Sequence, residues 1–156
     1  MADDRLGPIL ETAFDKLSST AAASGYFPGG VLTHEPKSAP TSGLTFACWL
    51  GEITPIRLRS GLAVTSARAE IFTRVYSNML AEPQDQIDVD LTRASSYMLA
   101  QLTGDFGIDG AWIDLLGAHG EGLAVATGYV DLDKTMFRVV DMPVPFIADD
   151  VFDQEV

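Results

Sequence analysis

A strict alternation of residue types between positions 67 and 76 constrains the fold of this chain most. Small and apolar side chains stand at every second position, and charged or aromatic side chains stand between them. Because successive side chains of a β-strand point to opposite faces of a sheet, this run predicts a strand with one buried face. The two sets are Ala67, Ala69, Ile71, Thr73 and Val75, and Arg68, Glu70, Phe72, Arg74 and Tyr76.

Further strands are predicted on both sides of this run. Residues 31–35 predict a short strand, LTFACWLGEI predicts a longer one, and AWIDLLG predicts another short one. The segments 36–43 and 57–66 between them are polar or rich in turn residues and are expected to be exposed loops.

The stretch GYVDLDKTMFRVV predicts a hairpin with a two-residue turn at Asp133 and Lys134. This register puts Tyr129 opposite Arg138 and leaves Asp131 diagonal to that arginine, so we expect Asp131 and Arg138 to pair. Asp131 and Asp133 also resemble metal ligands, but the alternation gives them no third or fourth oxygen ligand. The pattern therefore favours a hairpin over a metal site.

The end of the chain is expected to leave the sheet. Pro143 and Pro145 indicate that the last strand ends at a sheet edge, because proline cannot donate to a strand ladder. Residues 147–156, IADDVFDQEV, are predicted to form an acidic C-terminal tail.

Two helices are predicted by apolar positions that recur every three or four residues. The first covers residues 3–23, with Asp3 or Asp4 at its start and Gly25 after its end. The second runs from about 88 to 103, where carboxylates in the first turn suit the positive end of the helix dipole. The apolar stripes are Leu6, Ile9, Leu10, Ala13, Phe14 and Leu17, and Leu91, Ala94, Ser95, Met98, Leu99 and Leu102.

These elements predict an α+β fold in which helices pack on a largely antiparallel sheet, in the order helix, two or three strands, helix, three strands. A chain of 156 residues is the size of one domain, so we expect residues 1–156 to form a single domain. No apolar run approaches the roughly 20 residues that span a bilayer, and the start is acidic, so a soluble cytoplasmic protein is expected.

The formal net charge of -12 is unevenly distributed. Residues 1–80 contain seven acidic and seven basic residues, so the fifteen acids and three bases after position 80 carry the whole excess. One explanation is solubility. The other is head-to-tail association into a ring, with an arginine-bearing segment of one copy facing the acidic half of the next. The candidate contact residues are Arg57, Arg59, Arg68 and Arg74. An equally good explanation for each of them is that it faces solvent on a loop or on one side of a strand.

No motif in the sequence predicts catalysis or a cofactor. The magnesium-binding triplet of protein kinases is matched by Asp105, Phe106 and Gly107, but the sequence has none of the other kinase motifs. The residues that follow also lack the oxygen ligands of a calcium-binding loop. The glycines of GAHGEG resemble those of a dinucleotide-binding loop, which must stand before a helix to bind phosphates. Here they precede a predicted strand, so this segment is expected to be an ordinary loop. The two histidines lie far apart, and Cys48, the one cysteine, is expected to be a buried thiol. We therefore predict no catalytic, cofactor-binding or metal-binding residues, and no enzyme.

Several segments together resemble the tail terminator proteins of long-tailed bacteriophages, in particular of phages that infect actinobacteria. They are HEPKSAPTSGL, RSGLAVTSARAEIFTRVYSNML, EPQDQID and GYVDLDKTMFRVVDMPVPFIADD. The resemblance implies an α+β virion protein at the head-tail junction, assembled in the host cytoplasm, that forms a homohexameric ring on the tail tube. Such a ring stops polymerisation of the major tail tube protein, joins the head-completion or neck protein, and lets DNA pass through its lumen without specific binding.

Two alternatives stay open at this point. One is another neck or tube component, such as a head completion protein, a stopper or the tail tube protein itself. The other is a small ligand-binding domain or enzyme.

Overall fold

The computed structural model describes residues 4–38, 40, 43–57, 60–61, 64–80, 83–104 and 106–154. Its elements in chain order are α1 (Leu6–Ser24), β1 (Gly30–Leu32), β2 (Thr45–Ile56), β3 (Val64–Asn78), α2 (Ile87–Thr103), β4 (Trp112–Ile113), β5 (Ala126–Leu132) and β6 (Thr135–Asp153).

The strands form one sheet in the order β1, β2, β3, β6, β4, with β5 paired to β6 beside β4. β1 is parallel to β2, and the other pairings are antiparallel. β6 therefore lies inside the sheet, with β3 on one side and both β5 and β4 on the other.

The predicted fold class, α+β with helices on a largely antiparallel sheet, is wrong. Strands make up 43% of the chain and helices 28%, so the fold is mostly β, and its sheet is mixed and curled. Alternation and spacing identify single elements but not their hydrogen-bonding partners, so the sequence did not show that β6 inserts next to β3. The strands are also longer than their patterns, with 15 residues in β3 and 19 in β6.

Both helices pack on one face of the sheet, here called the helix face. The alternation in β3 is confirmed: Ala67, Ala69, Ile71 and Val75 are buried in the same core as the apolar stripes of α1 and α2. α1 begins at Leu6, where the Asp4 carboxylate accepts the backbone N–H of Gly7, and ends before Gly25 at φ 76°. No helix in the described segments is long and apolar enough to cross a membrane.

The opposite face of the sheet, here called the second face, carries the charged and aromatic set of β3. A smaller buried cluster lies on it, formed by Ala47, Tyr76, Phe137 and Val139. The rings of Tyr76 and Phe137 meet edge to face with their centroids 6.0 Å apart. The sheet is therefore buried on both faces near β3 and the first half of β6.

The predicted hairpin is confirmed, but one predicted contact is wrong. Asp133 and Lys134 form the turn at φ 51° and 63°, and Tyr129 lies opposite Arg138. Two positive φ angles are typical of the hairpin turn whose twist matches the adjoining strands. The register is as predicted, with Asp131 diagonal to Arg138, but Arg138 pairs with Asp88 of α2 instead of Asp131. The sequence could not show that α2 passes over this part of β6.

The predicted end of the last strand is also wrong. β6 continues through the two prolines, and residues 147–153 of the expected tail belong to it. Pro145 accepts a hydrogen bond from the Asp114 N–H at 2.9 Å, so its backbone polar groups point away from β3. Pro143 shares this orientation because it lies two residues away. Their missing N–H groups thus remove no hydrogen bond from the ladder between β3 and β6.

Candidate interaction surface

The four arginines singled out in the sequence do not form one exposed patch. Arg68 and Arg74 both project from β3 on the second face, and Arg57 directly follows β2 and is exposed. Arg59 lies outside the described residues. Arg68 and Arg74 are largely covered, with side chains 12% and 17% exposed. Among the described candidates, Arg57 is therefore the one placed to meet another molecule without rearrangement.

Arg74 is held by a carboxylate and by three aromatic rings. Its Nε and Nη2 atoms donate to the two carboxylate oxygens of Asp141 at 2.5 and 3.0 Å. The guanidinium carbon lies 5.3 Å from the centroid of the Phe72 ring and 5.7 Å from those of Trp49 and Tyr76. Such a two-pronged pair with stacked rings fixes the side chain in one orientation.

The ionisation of this cluster follows from its contacts. The hydrogen bond to Asp141 raises the pKa of Arg74 and outweighs the opposing effect of burial. Burial raises the pKa of the Tyr76 hydroxyl, although its hydrogen bond to Arg74 works in the other direction. Arg74 therefore stays charged and Tyr76 stays neutral at ordinary pH, and their cluster joins β3 to β6.

Arg68 is covered by the loop of residues 114–123, here called the β4–β5 loop. Its Nη2 donates to the Glu121 carbonyl at 2.8 Å, and its Nη1 lies 3.5 Å from Glu70. Gly120, at φ 146°, packs so closely that a Cβ atom there would lie 2.8 Å from Nε of Arg68. The loop predicted from GAHGEG is thus confirmed, and its glycine permits the close approach.

Buried Asp114 organises the β4–β5 loop. Its two carboxylate oxygens accept the backbone N–H groups of Ala118 and His119 at 2.8 and 2.9 Å. Burial alone would raise the pKa of Asp114, but these two hydrogen bonds, with the charges of His119 and Arg68, lower it below its ordinary value. The loop holds Leu116 at its tip, where this side chain is 98% exposed.

Among the described strands, the two longest open edges belong to β2 and β5. β1 covers β2 only at residues 45–47, and in the described part of the chain no strand pairs with the outer side of residues 48–56. Apolar Leu50 and Ile53 on this stretch are 45% and 41% exposed. β5 is paired to β6 alone among the described strands. Each edge presents a row of backbone N–H and C=O groups that another chain can pair with.

The residues first considered for chemistry lie apart from each other. Asp133 stands in the hairpin turn, and across the described residues no three His, Cys, Asp or Glu side chains converge on a point where they could hold a metal ion. Cys48 is buried as expected, and this burial raises the pKa of its thiol to about 12. Asp105 of the kinase-like triplet lies outside the described residues.

Comparison with models of known protein families and with curated proteins gives no match for this chain.

Sequence reasoning missed the residues that hold this surface together. Asp141 was counted only in the acidic excess, although it is the register partner of Arg74. Asp114 sat in a predicted strand, and no pattern marked it as the anchor of the loop. A signal did exist for Asp114, since it precedes the glycine-rich segment GAHGEG and aspartate side chains commonly bind backbone groups of an adjoining turn.

Proposed function

We propose that this protein is a structural component of the head-tail junction of a long-tailed bacteriophage. In this proposal it caps the tail tube as a ring, ends tube polymerisation and joins the tail to the head or neck. It has no catalytic activity and works in the virion after assembly in the host cytoplasm.

The observation that carries the proposal is the pair of unlike open edges on one sheet, residues 48–56 of β2 and the outer side of β5. Contact between two different edges is heterologous, and a repeated heterologous contact builds a ring when its rotation closes and a helical filament when it does not. Three antiparallel pairings separate β2 from β5, so the two edges run in opposite directions. A copy added in the same orientation would then continue the sheet with an antiparallel pair.

The charge of the chain supports the same role. A net charge of -12 disfavours tight binding of phosphates. A ring through which the genome passes gains from this, because a lumen that bound DNA tightly would retain it. The resemblance to tail terminators adds the expectation of six copies, with the tail tube protein and a neck protein as partners.

The test uses two substitutions at side chains of equal exposure. Ile53 on the open edge of β2 and Val89 on α2 are both 41% exposed. The unmodified protein, mixed with purified tail tubes, should add a cap that electron microscopy resolves as a ring. Ile53→Lys should prevent capping, because lysine at a strand edge opposes pairing with another strand. Val89→Lys should leave capping intact.

The proposal fails if the protein is absent from purified virions and also remains monomeric in the presence of tail tubes. If Ile53→Lys and Val89→Lys lose capping to the same extent, the open edge of β2 has no specific role in capping. The same open edges also favour the runner-up, a tube subunit that polymerises helically. Long tubes formed by the purified protein alone, seen in negative stain, would decide for the tube subunit.

A further inference from the structure

A groove lies on the helix face between α2 and the hairpin of β5 and β6. Its volume is about 410 Å³, within the range of ligand sites in proteins. The walls are mostly apolar, and one end is closed by Arg138 and Asp88. The rim residues Asp88, Thr92 and Ser96 are exposed, so the groove opens to solvent. Its apolar walls are Leu91, Leu99, Val125 and Val140.

A buried hydroxyl without a partner lines the groove. Ser95 is 8% exposed, and its Oγ has no hydrogen-bond partner among the described residues. A buried hydroxyl is costly unless it is hydrogen-bonded. Leu91, Ser95 and Leu99 follow each other at intervals of four residues, so they form one line along α2. Ser95 therefore sits midway along an otherwise apolar wall, and its Oγ atom is buried.

The cation at the end of the groove has hydrogen-bonding capacity left. Arg138 donates from Nε to Asp88 at 3.2 Å and from Nη1 to the Gly128 carbonyl at 3.3 Å, and it lies 4.6 Å from the Tyr129 ring centroid. A guanidinium has five N–H groups, so some remain for an incoming carboxylate. The Asp88 side chain is 75% exposed, and an ion pair with so exposed a partner is weak and can be displaced.

We propose that this groove binds the C-terminal end of a partner polypeptide whose last residue is apolar. The terminal carboxylate pairs with Arg138, the last side chain packs on Leu91 and Val140, and the Ser95 side chain turns into the groove so that its hydroxyl bonds the preceding backbone. The site is complete within one copy of the chain, so it is independent of ring formation.

The position of Ser95 selects a polypeptide over a fatty acid. Asp88, beside the guanidinium, and Ser95 are seven residues apart, which is about 10 Å along a helix. An extended peptide covers this distance in about three residues and places a backbone amide there. A fatty acid would place only methylene groups at that point and would leave the hydroxyl without a partner.

The experiment follows backbone amide signals of the ¹⁵N-labelled protein by NMR. The probes are N-acetylated pentapeptides that end in leucine, valine or phenylalanine, each as the free acid and as the amide. We expect the acid to bind about tenfold more tightly than the amide, because a carboxylate forms charge-assisted hydrogen bonds with Arg138. The shifted signals should come from residues that line the groove.

Three variants sharpen the test. Arg138→Gln should make acid and amide bind alike, whereas Asp88→Asn should strengthen binding of the acid by removing the competing carboxylate. Asp88 is exposed, so this second variant should fold even if Arg138→Gln does not. Arg93→Gln is the matched control, since Arg93 is an exposed arginine on the same helix outside the groove. Arg93→Gln should change neither the affinity for the peptide acid nor that for the peptide amide.

Each contrary result overturns the proposal. Equal binding of acid and amide to the unmodified protein would remove the role of Arg138. Binding of decanoate without binding of the peptide acids would assign the groove to small apolar acids. Absence of any shift at groove residues with millimolar peptide would show that the groove does not hold a chain end.

Discussion

Arg74 and Asp141 face each other in the register of β3 and β6, and two hydrogen bonds of 2.5 and 3.0 Å join their side chains. This pair lies on the second face, at the junction of the two longest strands. Three aromatic rings surround the guanidinium, which limits the water that can replace a lost partner.

Asp141→Ala should lower the free energy of unfolding by about 1–3 kcal/mol, because it leaves a partly buried guanidinium without its carboxylate. Urea denaturation followed by tryptophan fluorescence would measure the change. Asp131→Ala, which removes an exposed carboxylate on the hairpin, is the control and should change stability by less than about 0.5 kcal/mol. Equal effects of the two substitutions would show that the pair contributes nothing specific.

Asp114→Asn should destabilise the protein at neutral pH by about 1–3 kcal/mol, since the amide places an NH2 donor where one of the two carboxylate oxygens accepts a loop N–H. The pKa of Asp114 is lowered in the folded protein, so its carboxylate stabilises the fold above the ordinary aspartate pKa of about 3.9. That contribution is lost as the pH falls through the lowered pKa. Denaturation at pH 7 and pH 3 should therefore show a smaller difference between the two proteins at pH 3. A difference that grows with acidity would contradict this role.

Phe137→Asp should abolish cooperative folding. The Phe137 ring is 1% exposed and packs against Tyr76, and Phe-to-Ala changes at buried sites alone cost about 3–5 kcal/mol. A buried carboxylate adds to this cost. Met136→Asp, at the adjacent position that is 47% exposed, should still fold. Circular dichroism during thermal unfolding distinguishes the two, and a folded Phe137→Asp protein would show that the second-face cluster is dispensable.

The hairpin turn should respond to backbone geometry and not to metal. Lys134→Gly should raise the free energy of unfolding by about 1 kcal/mol, because glycine adopts φ 63° without the strain of a side chain. Asp133→Ala should leave assembly intact. Calorimetric unfolding with and without divalent cations is the measurement. Loss of assembly in Asp133→Ala, together with stabilisation of the unmodified protein by a cation, would revive the metal site.

Cys48 should react with thiol reagents only when the protein unfolds. Its side chain is fully buried, and a thiol with a pKa of about 12 is protonated at pH 9, where an exposed cysteine is mostly thiolate. The unfolded chain loses this proton near pH 8.5, so stability should fall as the pH rises from there towards 12. Labelling with a coloured disulfide reagent at pH 9, with and without urea, would check this. Rapid labelling of the native protein would place Cys48 at the surface.

Much of the local structure is encoded in patterns that need no tertiary information. The apolar stripe of α1, the alternation of β3 and the turn at Asp133 each follow from the geometry of a single element. The candidate site was less predictable. Arg68 and Arg74 were placed on the correct face, yet the residues that cover them come from β6 and from the β4–β5 loop. Long-range partners of this kind leave no periodic signal.

The sequence by itself determined the two helices, the alternating run of β3 and the hairpin turn, because side-chain periodicity and turn geometry belong to a single element. The tertiary structure alone decided that β6 continues to Asp153 and that it lies between β3 on one side and β4 and β5 on the other. The physical reason is that strand pairing satisfies backbone N–H and C=O groups, which are the same in every residue except proline. The acids at 149, 150 and 153 therefore lie within β6 and are exposed, although composition alone marks them as a tail.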